Sequence, residues 1–249
     1  MYSALYAGYA AAALVLWIAT GLRPALWPIA APTGSAPIPL WRSLVIVAAV
    51  LALGQLYQAG LMIPEHTSWR DGARLANQIL IFLPVFVVVG VSIHDGDEAA
   101  RTRAFIPRSR IAERLVIGCT AAAIATVVYL TVRPDAAGIS LIPARFFSWP
   151  NAAHAAQILG EDFGLGLILA SALRHLSPRT AVIVAACLFA AGHIPAMVTQ
   201  GAPLAEFPSL VADAGLAAGM MALVLRLRDL WPIWPVHVAM DLMQFYGGR

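Results

Sequence analysis

The sequence predicts an all-α membrane protein, a polytopic bundle of about eight transmembrane helices in a single domain (residues 1–249). Three observations lead there. Hydrophobic residues make up 60% of the chain and charged residues only 12%, against roughly 25% charged in soluble domains. The mean hydropathy is +0.77, which leaves too little polar side chain to cover a large soluble core. Finally, the apolar residues fall into eight blocks, most of them near the roughly 17 to 25 residues that a spanning helix needs.

Ala4–Leu22 is the first block. No basic segment precedes it, so it reads as a retained span and not as a cleaved signal peptide. Pro24, Pro28, Pro32, Pro37 and Pro39 then mark a loop. Leu44–Ile63 and Leu75–Ile93 are the second and third spans. The connection His94–Arg110 is the most charged and holds no apolar run. Ile111–Val132 is the fourth span. In the longer connection Pro134–Pro150, the stretch Ile142–Trp149 suits the interface, with Arg145 and Trp149 at headgroup level. Ala152–Leu173, Ala181–Val198, Leu210–Leu225 and Leu230–Phe245 complete the set, the last two being short. In the last block Pro235 is read as the start of regular helix, after an irregular entry at Trp231–Trp234.

The net charge is +3, and all 16 basic residues are arginines. Their spread over the connections suits membrane anchoring and argues against a nucleic-acid partner, which would gather them on one face. Cys119 and Cys187 lie in apolar segments, and no Cys-x-x-Cys metal pattern exists, so neither a disulfide nor a zinc knuckle is expected. Alternating the connections puts eleven arginines on one side and five on the other. The richer side is then cytoplasmic and both termini are outside.

Three patterns in the last third carry the chemistry: Glu161-Asp162, Phe189-x-x-x-His193 and His237-x-x-x-Asp241. Ionisable groups in hydrocarbon are costly and by default functional. Glu161 falls nine residues after Ala152, about 14 Å into its helix. Asp162 is turned from it by about 100°. Gly160, Gly164 and Gly166 flank the pair and allow a neighbouring helix or a substrate to come close. His193 shares a helix face with Phe189, and His237 shares one with Asp241, each pair being four residues apart. Any one of these groups alone reads as a helix-to-helix hydrogen bonder. Two histidines and three carboxylates on three helices read as one buried site. Asp213, before Gly215-x-x-x-Gly219, reads as packing, and His154 as an interfacial anchor. Gln55, Gln58, Asn77 and Gln78 read as interhelical hydrogen bonders, and His66, His94 and His175 as solvated.

The order and setting of the three motifs resemble the CPBP family. It comprises the CAAX prenyl endopeptidases and the bacterial bacteriocin-processing or Abi-type proteins. The resemblance covers about Gly160–Gln244, with a catalytic core at about residues 150–246; the first four spans match only as hydrophobic helices. It implies an intramembrane endopeptidase of the bacterial cytoplasmic membrane, acting on peptides or small proteins near membrane-embedded or lipidated ends. Glu161 would activate the water and His193 would help to hold it. His237 and Asp241 would face the carbonyl and its oxyanion, with Asp162 and Phe189 as auxiliary residues. An ionised Asp241 only accepts hydrogen bonds, so it must be protonated or must instead orient His237. The family's first motif is Glu-Glu-x-x-x-Arg. Here Asp162 replaces the second Glu and Gly166 the Arg, and Arg174 lies eight residues further on.

The resemblance implies no cofactor. Zinc or iron is the alternative, since two histidines with carboxylates suffice as ligands, although His-Glu-x-x-His is missing. Two other functions compete: a non-catalytic Abi-like immunity or chaperone protein with a degenerate site, and an ion or proton transporter. The repeats and paired broken helices of many transporters are not visible in the sequence. The arginine split yields a direct expectation. Reporter fusions in the His94–Arg110 connection should read as cytoplasmic, and an external reading would overturn the assigned topology.

Overall fold

The structure, a computed structural model, describes residues 2–27, 38–65, 68–95, 101–102, 104–133 and 148–247. Among them are eight α-helices and no strand: α1 (Tyr2–Leu22), α2 (Leu40–Gln58), α3 (Arg70–Asp95), α4 (Ile111–Val132), α5 (Pro150–Ala172), α6 (Pro178–Thr199), α7 (Ser209–Leu227) and α8 (Ile233–Gly247). All eight expected blocks are helices. His66 and the 142–147 part of the expected interfacial segment, with Arg145, lie outside the described residues.

Seven helices are long and apolar enough to cross a membrane; the seventh is counted from a short 3-10 turn at Leu204–Glu206. The chain is an integral membrane protein. α8 has 15 residues, about 22 Å of helix, short of a hydrocarbon core of about 30 Å. It begins within the bundle, because Gly118 on α4 brings the backbone of Pro232 so close that a Cβ there would lie 2.7 Å from the Pro232 carbonyl oxygen.

Local chemistry sets the ends. The second span was expected to reach Ile63, but α2 stops at Gln58. Gly60 adopts φ +71°, its N–H bonds Tyr57 O at 2.9 Å, and Leu61 N–H bonds Leu56 O at 2.9 Å. This is a Schellman ending, and glycine enters the left-handed region without a Cβ penalty. Gly201 ends α6 in the same way, with Ala202 N–H on Met197 O at 2.9 Å. At the start of α6, the Ser177 hydroxyl accepts from Thr180 N–H at 3.3 Å and Pro178 follows it, which supplies the cap.

α5 is the central helix: its apolar window is 72% buried, against at most 28% for any other span. It packs on α3, α2, α6 and α8, while α1 packs on α4, and α7 on α6. Small residues set the closest approaches. A Cβ on Gly160 would lie 2.3 Å from Phe82 Cγ, and one on Gly164 would touch Val85 at 3.7 Å. These contacts run in the same order along α3 and α5, so the two helices are parallel. α2 and α6 are parallel to each other, since Leu51 lies by Gly192 and the Gln55 side chain accepts from the Thr199 hydroxyl at 2.9 Å. The starts of α3 and α5 therefore share one end of the bundle with the ends of α2 and α6. Of the expected Gly215-x-x-x-Gly219 motif, only Gly215 meets a close neighbour, the Tyr6 hydroxyl, and Asp213 accepts from Tyr2 Oη at 3.0 Å.

The opposite end is held by a buried ion pair. The eleven arginines counted on the cytoplasmic side include Arg114, yet its side chain is 4% exposed and pairs with Asp229, whose side chain is fully buried. Arg114 also donates to Leu26 O at 2.8 Å and Ser109 O at 2.9 Å. Asp229 accepts from Trp27 Nε1 at 2.9 Å and Trp231 N–H at 3.0 Å. Three connections meet there, after α1, before α4 and between α7 and α8. Phe105, Arg110 and Arg228, the non-glycine residues with positive φ among those described, all lie in them. Each such conformation costs roughly 1–2 kcal/mol and persists because contacts fix it, such as Leu230 N–H on Phe105 O at 2.8 Å. Arg114→Met should cost about 3–5 kcal/mol in reversible unfolding in detergent, because it strands a buried carboxylate. Adding Asp229→Leu should recover much of that loss; equal loss in the single and double variants would contradict the assignment.

Candidate active site

Glu161 is eleven residues into α5, about 16 Å from its start. One turn earlier on the same face, Gln157 Nε2 donates to Glu161 Oε1 at 2.8 Å. Both line a cavity of about 270 Å³ between α2, α3, α5 and α6. That is close to the lower end of small-ligand sites, about 300 Å³. The cavity has two halves. Toward the start of α2, Val47, Leu165, Ile168 and Leu188 make it apolar. Toward the starts of α3 and α5, Gln55, Gln58, Gln78 and Gln157 make it polar. Glu161 stands at the boundary, with His193 opposite on α6.

His193 Nδ1 is 2.9 Å from the Phe189 carbonyl oxygen. A carbonyl only accepts, so Nδ1 carries the proton and Nε2 is left for another partner. The helix here is weakened at Pro195, which has no N–H to give to the turn before it. Phe189 links both histidines: its ring centroid lies 4.7 Å from that of His193 and 6.2 Å from that of His237.

His237 is 6% exposed and Asp162 fully buried. His237 Nδ1 lies 2.8 Å from Asp162 Oδ1, so the ring is oriented by the neighbour of Glu161 and its Nε2 is available. From the sequence, orienting His237 is one of two alternatives for Asp241, the other being a protonated Asp241. In the structure Asp241 Oδ2 instead lies 2.6 Å from His154 Nε2. His154, read as an interfacial anchor, is thus the partner of Asp241. Of the four expected catalytic residues, Glu161 and His193 line the cavity, His237 adjoins it through Phe189, and Asp241 engages His154 on α5.

The missing motif arginine has a structural counterpart. A Cβ on Gly166 would lie 2.5 Å from Leu230 Cδ1, so the Leu230 side chain occupies the space that a larger residue would need. Asp162 Oδ2 and His154 Nε2 have no hydrogen-bond partner among the described residues, so the approach of His154 to Asp241 has the distance of an ion pair without hydrogen-bond geometry. Among those residues no three His, Cys, Asp or Glu side chains are grouped as a metal ion would require. Cys119 and Cys187 are exposed free thiols. The sequence pattern did not single out Gln157, although a lone amide four residues before Glu161 on an apolar helix was its signal. Gln58 and Gln78, expected to bond neighbouring helices, face the cavity instead.

Fold and site together define a polytopic membrane protein with an acid–imidazole site on α5, α6 and α8. Residues 143–243 match the family model described as type II CAAX prenyl endopeptidase Rce1-like, a match that supports the CPBP/CAAX protease family, a family of membrane proteases. No curated protein sequence and no solved structure gives a match.

The hydrogen bonds predict a spectroscopic signature. In nitrogen-15 spectra of histidine-labelled protein, His193 and His237 should both be protonated at Nδ1. Asp162→Leu should release that preference at His237 and leave His193 unchanged. A wild-type His237 protonated only at Nε2 would contradict the Asp162 contact.

Proposed function

We propose that this protein is an intramembrane endopeptidase in which Glu161 activates water without a metal. The observation that carries the reading is that Glu161 and His193 line one mid-span cavity, with His237 next to it and fixed by Asp162. In this mechanism Glu161 takes a proton from a water held by His193 Nε2, and the water oxygen bonds to the peptide carbonyl carbon. The oxyanion forms on the His237 side, where a ring held through Nδ1 can present an Nε2–H when protonated. Collapse breaks the C–N bond, and the proton on Glu161 passes to the leaving amine. One new carboxyl and one new amine result.

Asp241 takes no direct part in this scheme. While ionised it only accepts hydrogen bonds, and its carboxyl is engaged by His154. The substrates we propose are membrane-proximal ends of peptides or small proteins in a bacterial cytoplasmic membrane: exported precursors, lipidated tails or C-terminal sorting signals. Loss of the motif arginine need not disable the site, since Asp162 finds its partner in His237.

Glu161→Gln keeps the shape and removes the base, so proteolysis should fall by about two to four orders of magnitude at unchanged protein level. Wild-type activity should survive exhaustive chelation, and Asp241→Asn should be tolerated. Activity lost on chelation, with zinc or iron bound stoichiometrically and lost in His193→Ala, would overturn the metal-free mechanism. A cellular phenotype that survives Glu161→Gln would instead point to a non-catalytic protein.

A further inference from the structure

The cavity holds more polar side chains than water activation uses. Gln58 on α2 and Gln78 on α3 both face it. Gln55 is bonded by Thr199 and Gln157 bonds Glu161, but Gln58 and Gln78 have no hydrogen-bond partner among the described residues. Gln58, the last residue of α2, is exposed and Gln78 is half-buried, so both amides stand open at the polar mouth of the cavity to bond a chain that enters there.

Their chemistry restricts what that is. A glutamine amide offers two donors and an acceptor, the same complement that a peptide backbone presents in alternation. No arginine is among the cavity-lining residues, and Glu161 is their one carboxylate. Recognition of a phosphate or a free carboxylate is therefore not built into these walls. A membrane-embedded segment must also leave its helix before a peptide bond can be attacked. Its N–H and C=O groups then need new partners where water is scarce. The glutamines stand on the route from the polar end of the bundle to Glu161, which is about 16 Å, or roughly five residues of extended chain.

We propose that the glutamine-lined half of the cavity is a main-chain cradle, in which Gln58 and Gln78 hydrogen-bond the backbone of an extended substrate segment of about five residues leading to the scissile bond. This rests on the endopeptidase reading above. It makes recognition on that side of the bond tolerant of side-chain sequence. On the other side, the half lined by Val47, Leu165, Ile168 and Leu188 favours apolar side chains.

The test separates binding from turnover. A fluorescent eight-residue peptide of alternating alanine and leucine is titrated into purified Glu161→Gln protein in detergent, with thermal melts as a check on folding. Adding Gln58→Leu and Gln78→Leu together should weaken binding about tenfold, the effect of one to two net hydrogen bonds. The same peptide with N-methylated amides should bind Glu161→Gln about tenfold more weakly, and the two glutamine substitutions should then add little. Unchanged or tighter binding in the glutamine variants would overturn the cradle. So would failure of the peptide to bind Glu161→Gln, or an N-methyl penalty that persists undiminished without the glutamines. Cleavage by protein retaining Glu161 is scored separately. If cleavage remains Glu161-dependent while the glutamines prove irrelevant, only the cradle fails; if no cleavage depends on Glu161, the hydrolytic reading fails whatever the peptide does.

Discussion

The hydrogen bond between Asp162 and His237 is the constraint on which the site depends. It joins the most buried helix, α5, to the short α8 across 2.8 Å, with the carboxyl fully buried and the ring nearly so. In so apolar a setting, losing one partner leaves the other a stranded polar group. Three further links tie the same helices: His154 to Asp241 at 2.6 Å, Tyr246 Oη to Asn151 Oδ1 at 2.8 Å and Trp234 Nε1 to Ala155 O at 3.0 Å. α8 is too short to be held as an independent span, so this polar seam and its packing on α4 fix where His237 stands. Asp162 thereby performs on α8 the task that sets the geometry around its neighbour Glu161.

The two ends of the bundle divide the remaining work. At one end the Arg114–Asp229 pair gathers three connections and carries the positive-φ residues. Its neighbour Leu230 lies over Gly166, so the absence of the family arginine is part of the packing there and not an isolated change. At the other end the helices part enough to leave the cavity, and polar amides replace the apolar lining. A site that is polar toward one surface and apolar toward the other suits a chain that is itself partly in the membrane.

Much of the fold was legible because transmembrane helices write themselves as apolar blocks of fixed length. Ile111–Val132 was read to the residue, and Tyr2–Leu22 within two. Ile63 was misread as the end of α2 because a leucine and an isoleucine follow Gly60, so hydropathy continues where the backbone turns. The site motifs were visible as ionisable residues in hydrocarbon, and the resemblance they carried agrees with the family match over residues 143–243. Partner choice was not visible. Asp241 shares a face with His237, yet its contact lies on α5, and helical spacing says nothing about a neighbouring helix. Arg114 reads as an interfacial cation by position, and only the fold shows Asp229 against it. Gln58 and Gln78 look alike as helix glue until the cavity is seen.

The central claim is that Glu161 directs water onto a peptide bond within the membrane. Its most direct test is to incubate membranes containing the protein in oxygen-18 water and identify new peptide C-termini by mass spectrometry. The mechanism predicts termini that carry one oxygen-18 from solvent with the wild-type protein and that are missing from Glu161→Gln membranes. New termini that form equally in both, or none that require the wild-type protein, would contradict it.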